Sequence, residues 1–239
     1  MLWQEAVDYC FKTRKTWKGK EKAQPGINTR DFTNYYGADS PCNEITRKTF
    51  KGFCDYLLDI KEYADATLNR KMSAVHTVLL HAVEEEEMDM NMPTKPNYKE
   101  YKGRPFFFNK EDIERICAHT NKTGLPELVR FAALTGARRG ECLKVAVRDI
   151  DLDNNLIYIG GRPEFNTKTG DWRTVPIHTT LRPMLEARCD GIPKDVSIFG
   201  DQWPAGASVL HHFKKAVRDS GLETHMVFHC LRHSFATWA

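Results

Sequence analysis

Thr135-Gly136-Ala137-Arg138-Arg139-Gly140-Glu141 is the stretch on which the reading of this chain turns. A helical pattern spans Pro126 to Leu134 and breaks at Gly136. A second helix is expected over 138–145. Arg138 then stands near a helix start, where free N–H groups and the macrodipole favour an anion. Glu141, three residues on, shares a helical face with Arg138 and is placed to orient it. A pair of ordinary surface arginines is the plain alternative for Arg138 and Arg139.

Two more basic clusters follow. Thr167-Lys168-Thr169 lies between β-like segments at Leu156–Ile159 and Arg173–Ile177, with Thr169-Gly170-Asp171 as the hairpin turn. Lys168 is there a mobile ammonium able to protonate a departing alkoxide, or else a solvated hairpin lysine. His229-Cys230-Leu231-Arg232 places a histidine and an arginine three apart at a helix start, both able to face the same way. His229 is suited to exchange a proton with a hydroxyl. HxxR also arises by chance, and a half-buried histidine beside an unrelated arginine satisfies the same spacing. Taken together, the clusters offer two planar guanidinium forks for phosphate oxygens. A phosphodiester under attack gains negative charge, and preorganised donors stabilise it by several kcal/mol. Metal enzymes meet that charge with clustered carboxylates. Asp149-Asp151-Asp153 is the nearest approach, and it reads as a polar turn.

Upstream, helices are expected over 2–13, 44–58 and 64–83, from apolar residues at helical spacing. Residues 19–40, rich in Lys, Gly, Pro, Asn and Asp, read as a loop or broken helix. Residues 12–22 carry six basic side chains against one acid, which suits a phosphate backbone or a solvated segment equally well. Residues 91–104 hold two prolines and the bases Lys95, Lys99, Lys102 and Arg104, and read as a linker that is either a strap across nucleic acid or plainly exposed. Beyond it, Asn109 is the expected cap of the next helix, with Glu111 and Asp112 in its first turn. Further helices are expected near 180–188, 207–220 and from His229, with an apolar segment at 196–199.

The net charge of +3 says little about a partner. Hydrophobic content of 41% supports a packed core. The seven cysteines occur singly, without C-x-x-C, which argues against a zinc ribbon or disulfide framework and fits a reducing compartment. No apolar run reaches membrane-spanning length, so a soluble cytoplasmic protein without membrane partners is expected.

In these residues the chain resembles the tyrosine recombinases of the phage-integrase type. Residues 133–141 are similar to that family's first-arginine box, 167–177 to its hairpin lysine and following strand, 229–237 to its second box, and 66–75 to its helical core-binding domain. The resemblance implies a mostly α fold with a small antiparallel sheet: a helical core-binding domain over 1–92, a linker over 93–104 and a catalytic domain over 105–239. It implies that Arg138 and Arg232 bind the scissile phosphate, that Lys168 is the general acid for the leaving 5′-hydroxyl, that His229 assists proton transfer, and that Glu141 supports the site. It implies double-stranded DNA as partner, contacted through Arg70, Lys71, Lys95, Lys102, Arg104 and Arg139. It implies a 3′-phosphotyrosine intermediate with no metal or other cofactor.

The eight tyrosines all lie at or before Tyr158. The family's nucleophilic tyrosine and a second His or Trp belong beyond the HxxR box. The expectation is a chain shortened before its nucleophile and without an arm-binding domain, which binds DNA without cleaving it. It is expected to be a monomer alone, with a tetramer on DNA for the complete protein. A non-catalytic DNA-binding regulator and a type IB topoisomerase-like enzyme are the competing readings.

Overall fold

Helical amphipathicity does most of the architectural work here. The chain divides into two units, Met1–Lys102 and Gly103–Ala239. A computed structural model describes residues 1–85, 87–100, 103–167, 170–200, 202–203 and 208–238.

The first unit is built on α1 (Trp3–Thr13), α2 (Gln24–Tyr36), α3 (Arg47–Asp59) and α4 (Asp65–Glu84). α4 packs against each of the other three. Phe32 is the hub of the core. Its ring meets Trp3 edge-on at 4.7 Å and Phe53 at 4.9 Å, and it stacks on Tyr36 at 5.2 Å. Such pairs add about 0.5–1.5 kcal/mol each beyond the area they bury.

α2 occupies much of the stretch expected as a loop. Pro25 sits in its first turn, where no N–H is needed and a fixed φ favours the helix. Only Gly26, Thr29 and Phe32 turn inward, so the inner face carries one large apolar residue and composition hides the helix. Gly26 is required by close approach: a Cβ there would lie 1.7 Å from the Glu21 carbonyl oxygen.

The described part of the expected linker has no helix or strand, yet it is fastened down along α4. The Asn69 amide donates to the Tyr98 carbonyl at 2.8 Å and accepts from the Tyr98 N–H at 3.0 Å. Lys95 donates to Ser73 Oγ at 2.9 Å, and Met92 and Tyr98 pack on the core. The Asn69 amide on α4 thus satisfies backbone groups that a free strap would leave to water.

The second unit contains α5 (Lys110–Ala118), α6 (Leu125–Thr135), α7 (Arg139–Cys142), β1 (Ile150–Asp151), β2 (Leu156–Ile159), β3 (Arg173–Pro176), α8 (Arg182–Cys189), α9 (Val209–Asp219) and α10 (Cys230–Trp238). The three strands form an antiparallel sheet in the order β1-β2-β3, with Ile157 opposite Val175 and Ile159 opposite Arg173. α6 packs against α5, α7, α9 and α10 and is the unit's central helix. Asn109 caps α5, its side chain accepting from the Asp112 N–H at 2.7 Å.

The helix expected over 138–145 is a single turn. The chain leaves it because Val145 accepts from the Ile198 N–H at 3.0 Å and Ala146 bridges to Ser197. The apolar segment 196–199 therefore completes a pairing that local spacing cannot show. Asp149 is buried; its carboxylate accepts from the Ala146 N–H at 2.8 Å and pairs with Arg162 at 2.5 Å, a structural role. All seven cysteines are free, and among the described residues no helix is long and apolar enough to cross a membrane.

Lys71 corrects an expectation. Rather than facing DNA it is buried on α4, with Nζ 2.5 Å from Asp31 of α2 and 5.0 Å from the centre of the Tyr63 ring. Breaking such a pair strands a charge out of water. Asp31→Ala is expected to lower the unfolding free energy by about 3 kcal/mol, and Asp31→Leu with Lys71→Met to recover most of that. Urea unfolding measures both. A loss under about 0.5 kcal/mol for Asp31→Ala, the range of an ordinary surface change, would contradict the role given to the pair.

Candidate functional site

The site grows from the end of α6. Gly136 closes that helix in the left-handed region at φ 61°, its N–H donating to Ala132 at 3.0 Å. A side chain there would be strained, and its Cβ would fall 2.5 Å from the Phe235 ring. The Thr135 hydroxyl donates to the Phe131 carbonyl at 2.6 Å and accepts from the Ala137 N–H at 3.2 Å, which fixes the exit path. Arg138 follows in extended backbone as the residue capping α7.

Glu141 organises what comes next. Its side chain is only 6% exposed, against 34% for Arg138 and 32% for Arg173. A buried carboxylate needs partners, and Glu141 has three. Oε1 accepts from Arg138 Nη1 at 2.8 Å; Oε2 accepts from the Arg138 N–H at 2.9 Å and from Arg173 Nη2 at 2.7 Å. Burial pushes the Glu141 pKa up, but the bonds from Arg173 and Arg138 outweigh it and hold the carboxyl below its ordinary range.

α10 brings the second arginine. Arg232 Nη1 donates to the Gly136 carbonyl at 2.5 Å, so one main-chain residue both ends α6 and seats the guanidinium of α10. Ser234, fully buried, accepts from the Phe108 N–H at 2.8 Å and donates to Cys230 at 3.0 Å, pinning the helix in register. Burial lowers the Arg232 pKa, and so do the nearby charges of Arg138 and Arg173. The three guanidiniums thus lie within electrostatic reach of one another, while arginine stays charged at any working pH.

His229 is exposed at the foot of α10, its ring edge-on to His233 at 5.0 Å. Its pKa is lowered from 6.5, first by burial of part of the ring and then by the charges of His233, Arg232 and Arg138. It is therefore neutral near pH 7 and able to accept a proton.

Of the residues singled out from sequence, Arg138, Glu141, His229 and Arg232 come together. Arg139 is half-buried on α7, and Arg70 and Arg104 are exposed. Lys95 is half-buried on Ser73, and Lys71 is committed to Asp31. Lys168 and Lys102 lie outside the described residues. Arg173 was missed, although its signal is present. Strand alternation puts it on one face with the buried Val175 and Ile177, where a guanidinium must find an acid.

Residues 107–239 match the phage integrase family. The chain belongs to this family. Two tyrosine recombinases are similar in sequence: XerC of Natranaerobius thermophilus, 24% identical over 208 residues, 82% of this chain and 69% of that protein, and XerA of Saccharolobus solfataricus, 28% identical over 125 residues, 52% of this chain and 40% of that protein. Among solved structures, a lambda integrase (residues 75–356) dimer bound to a COC′ core site superposes with a TM-score of 0.71 at 19% identity, over 98% of this chain and 87% of that one. The Tn1549 transposon integrase (residues 82–397), in complex with circular intermediate DNA, gives 0.71 at 14% identity over 100% and 86%. The phage integrase fold thus spans both units of the chain.

His229 gives a pH test. Because its folded-state pKa is below the unfolded value, the unfolded chain takes up the proton first as pH falls. The stability tied to neutral His229 is present above the unfolded pKa and is lost as pH falls through the folded one. Ring NMR is expected to place the His229 midpoint below 6.5 and to move it up in Arg138→Gln; a midpoint at or above 6.5 contradicts the cationic surroundings described. For Gly136→Ala, the left-handed φ and the Phe235 contact predict a stability loss of at least about 1 kcal/mol by thermal unfolding.

Proposed function

We propose that this chain is the DNA-gripping part of a site-specific recombinase that breaks and rejoins duplex DNA through a 3′-phosphotyrosine. The observation that carries the reading is convergence: Arg138 and Arg232 are drawn to one place through Gly136 and Glu141. Two forks so held match the non-bridging oxygens of one phosphodiester, and their charge is worth most as the phosphorus becomes five-coordinate.

In this reading Arg138 and Arg232 bind the scissile phosphate, and neutral His229 takes or relays the proton of the attacking hydroxyl. Lys168 protonates the leaving 5′-hydroxyl. Glu141 holds the first arginine in its productive rotamer. Met1–Lys102 acts as the core-binding domain and Gly103–Ala239 as the catalytic domain. Arg70, Lys95, Lys102, Arg104 and Arg139 are DNA contacts in this reading, and Lys71 is not, because Asp31 holds it. The reaction needs neither metal nor nucleotide, since the phosphotyrosine conserves the bond energy. The chain works in the cytoplasm and is a monomer free of DNA; on its site the recombinase assembles as a tetramer.

Filter binding on a duplex selected from a random pool tests this. Binding is expected to weaken linearly in log salt, and Arg138→Gln or Arg232→Gln each to reduce the slope by about 1. Failure to bind at low salt, or slopes unchanged in both variants, would sink the reading.

A further inference from the structure

Glu141 poses an electrostatic problem that the family role of a supporting acid leaves unsolved. A carboxylate bonded to Arg138 at 2.8 Å offsets the charge that Arg138 is meant to present to phosphate. Its other oxygen is taken by Arg173, at 2.7 Å. We infer that Arg173 is a positioning residue of the cradle, whose task is to neutralise Glu141 so that Glu141 can hold Arg138 without cancelling it. The inference rests on the recombinase reading above and deepens it.

Three features support this assignment. Arg173 stands on β3, fixed in register opposite Ile159, so its guanidinium reaches Glu141 from a rigid strand. Among the described residues, Arg138, Arg173 and Arg232 with Glu141 leave an excess of two positive charges. A phosphodiester carries one negative charge at rest and two when a fifth oxygen joins the phosphorus. Without Arg173 that excess falls by one, so the cradle favours the doubly charged transition state less. Finally, Arg173 is among the charges that lower the Arg232 pKa, so it belongs to the same electrostatic unit and not merely to the fold of the sheet.

The tie has a mechanical side as well. β3 follows Lys168 in sequence, and Arg173 is its first residue. The bond to Glu141 therefore anchors β3 to the first turn of α7. A change at Arg173 loosens both at once, so electrostatics and mechanics must be separated by experiment.

A double-mutant cycle separates them. Inorganic phosphate is titrated into the whole 239-residue chain, and binding is read from the NMR side-chain N–H signals of Arg138 and Arg232. In the wild-type background Arg173→Gln is expected to weaken phosphate about tenfold, because Glu141, no longer shared with Arg173, holds Arg138 against itself and away from the anion. In an Glu141→Gln background, where no carboxylate remains to neutralise, the same change is expected to cost less than about twofold. Equal factors in the two backgrounds would overturn the inference, since Arg173 would then touch phosphate itself or do nothing. Arg173→Lys keeps the charge and loses the fork; it is expected to bind within about threefold of wild type. A lysine variant that folds but binds as poorly as Arg173→Gln would overturn the electrostatic account in favour of a purely structural one. Should phosphate fail to shift Arg138 and Arg232 in the wild type, the cradle itself falls, an outcome distinct from a cradle that binds phosphate indifferently to residue 173.

Discussion

Guanidiniums repel one another, and a site that gathers them needs an anion at its base that does not compete for the ligand. The buried carboxylate of Glu141 is that base. It accepts from the main chain and side chain of Arg138 and from Arg173, and so ties the cap of α7 to the first residue of β3. The second anchor is the Gly136 carbonyl, which receives Arg232 from α10. Neither anchor is an isolated surface ion pair, the sort that contributes little. Glu141 is almost fully covered, and the Gly136 carbonyl is a fixed main-chain dipole at a helix end.

Around these anchors the apolar core supplies rigidity. α6 is buried along most of its length and fixes where Gly136 lies; Phe235 closes over that glycine from α10, and Ser234 locks α10 to the backbone at Phe108. The guanidiniums therefore project from ends of elements whose positions are set by packing, while about a third of each side chain of the Arg138–Arg173 pair faces solvent. A ligand meets donors already in place. The energy of holding like charges together has been met during folding, which is the physical content of preorganisation.

Much of this was legible in the sequence, and the exceptions share a cause. α1, α3, α4 and α6 announce themselves through periodic apolar faces, and Asn109 through its capping pattern. The pairings of Arg138 with Glu141 and of His229 with Arg232 were legible because each spans only three residues. What escaped depends on partners distant in the chain. α2 hides because Phe32 alone fills its inner face. α7 is cut to one turn by pairing with a segment some fifty residues later, through Val145 and Ile198. The basic, proline-bearing stretch after α4 looks free until Asn69 and Ser73 are seen to hold it. Lys71 and Arg173 show the same rule in opposite directions. The first was read as a DNA contact and is spent on Asp31; the second was passed over and shares the central carboxylate. A basic residue's role is set by the acid it meets, and neither Asp31 nor Glu141 is adjacent in sequence to the cation it takes.

The central claim is that residues 138 and 232 converge on one anion. Tungstate, a tetrahedral oxyanion located unambiguously by its anomalous scattering, tests it most directly in crystals of the chain. The account predicts one tungstate within hydrogen-bond distance of both guanidiniums, with Glu141 still bonded to Arg138 and Arg173. Tungstate bound to either arginine alone, or an Arg232 fork turned away from Arg138 with the anion elsewhere, would contradict it.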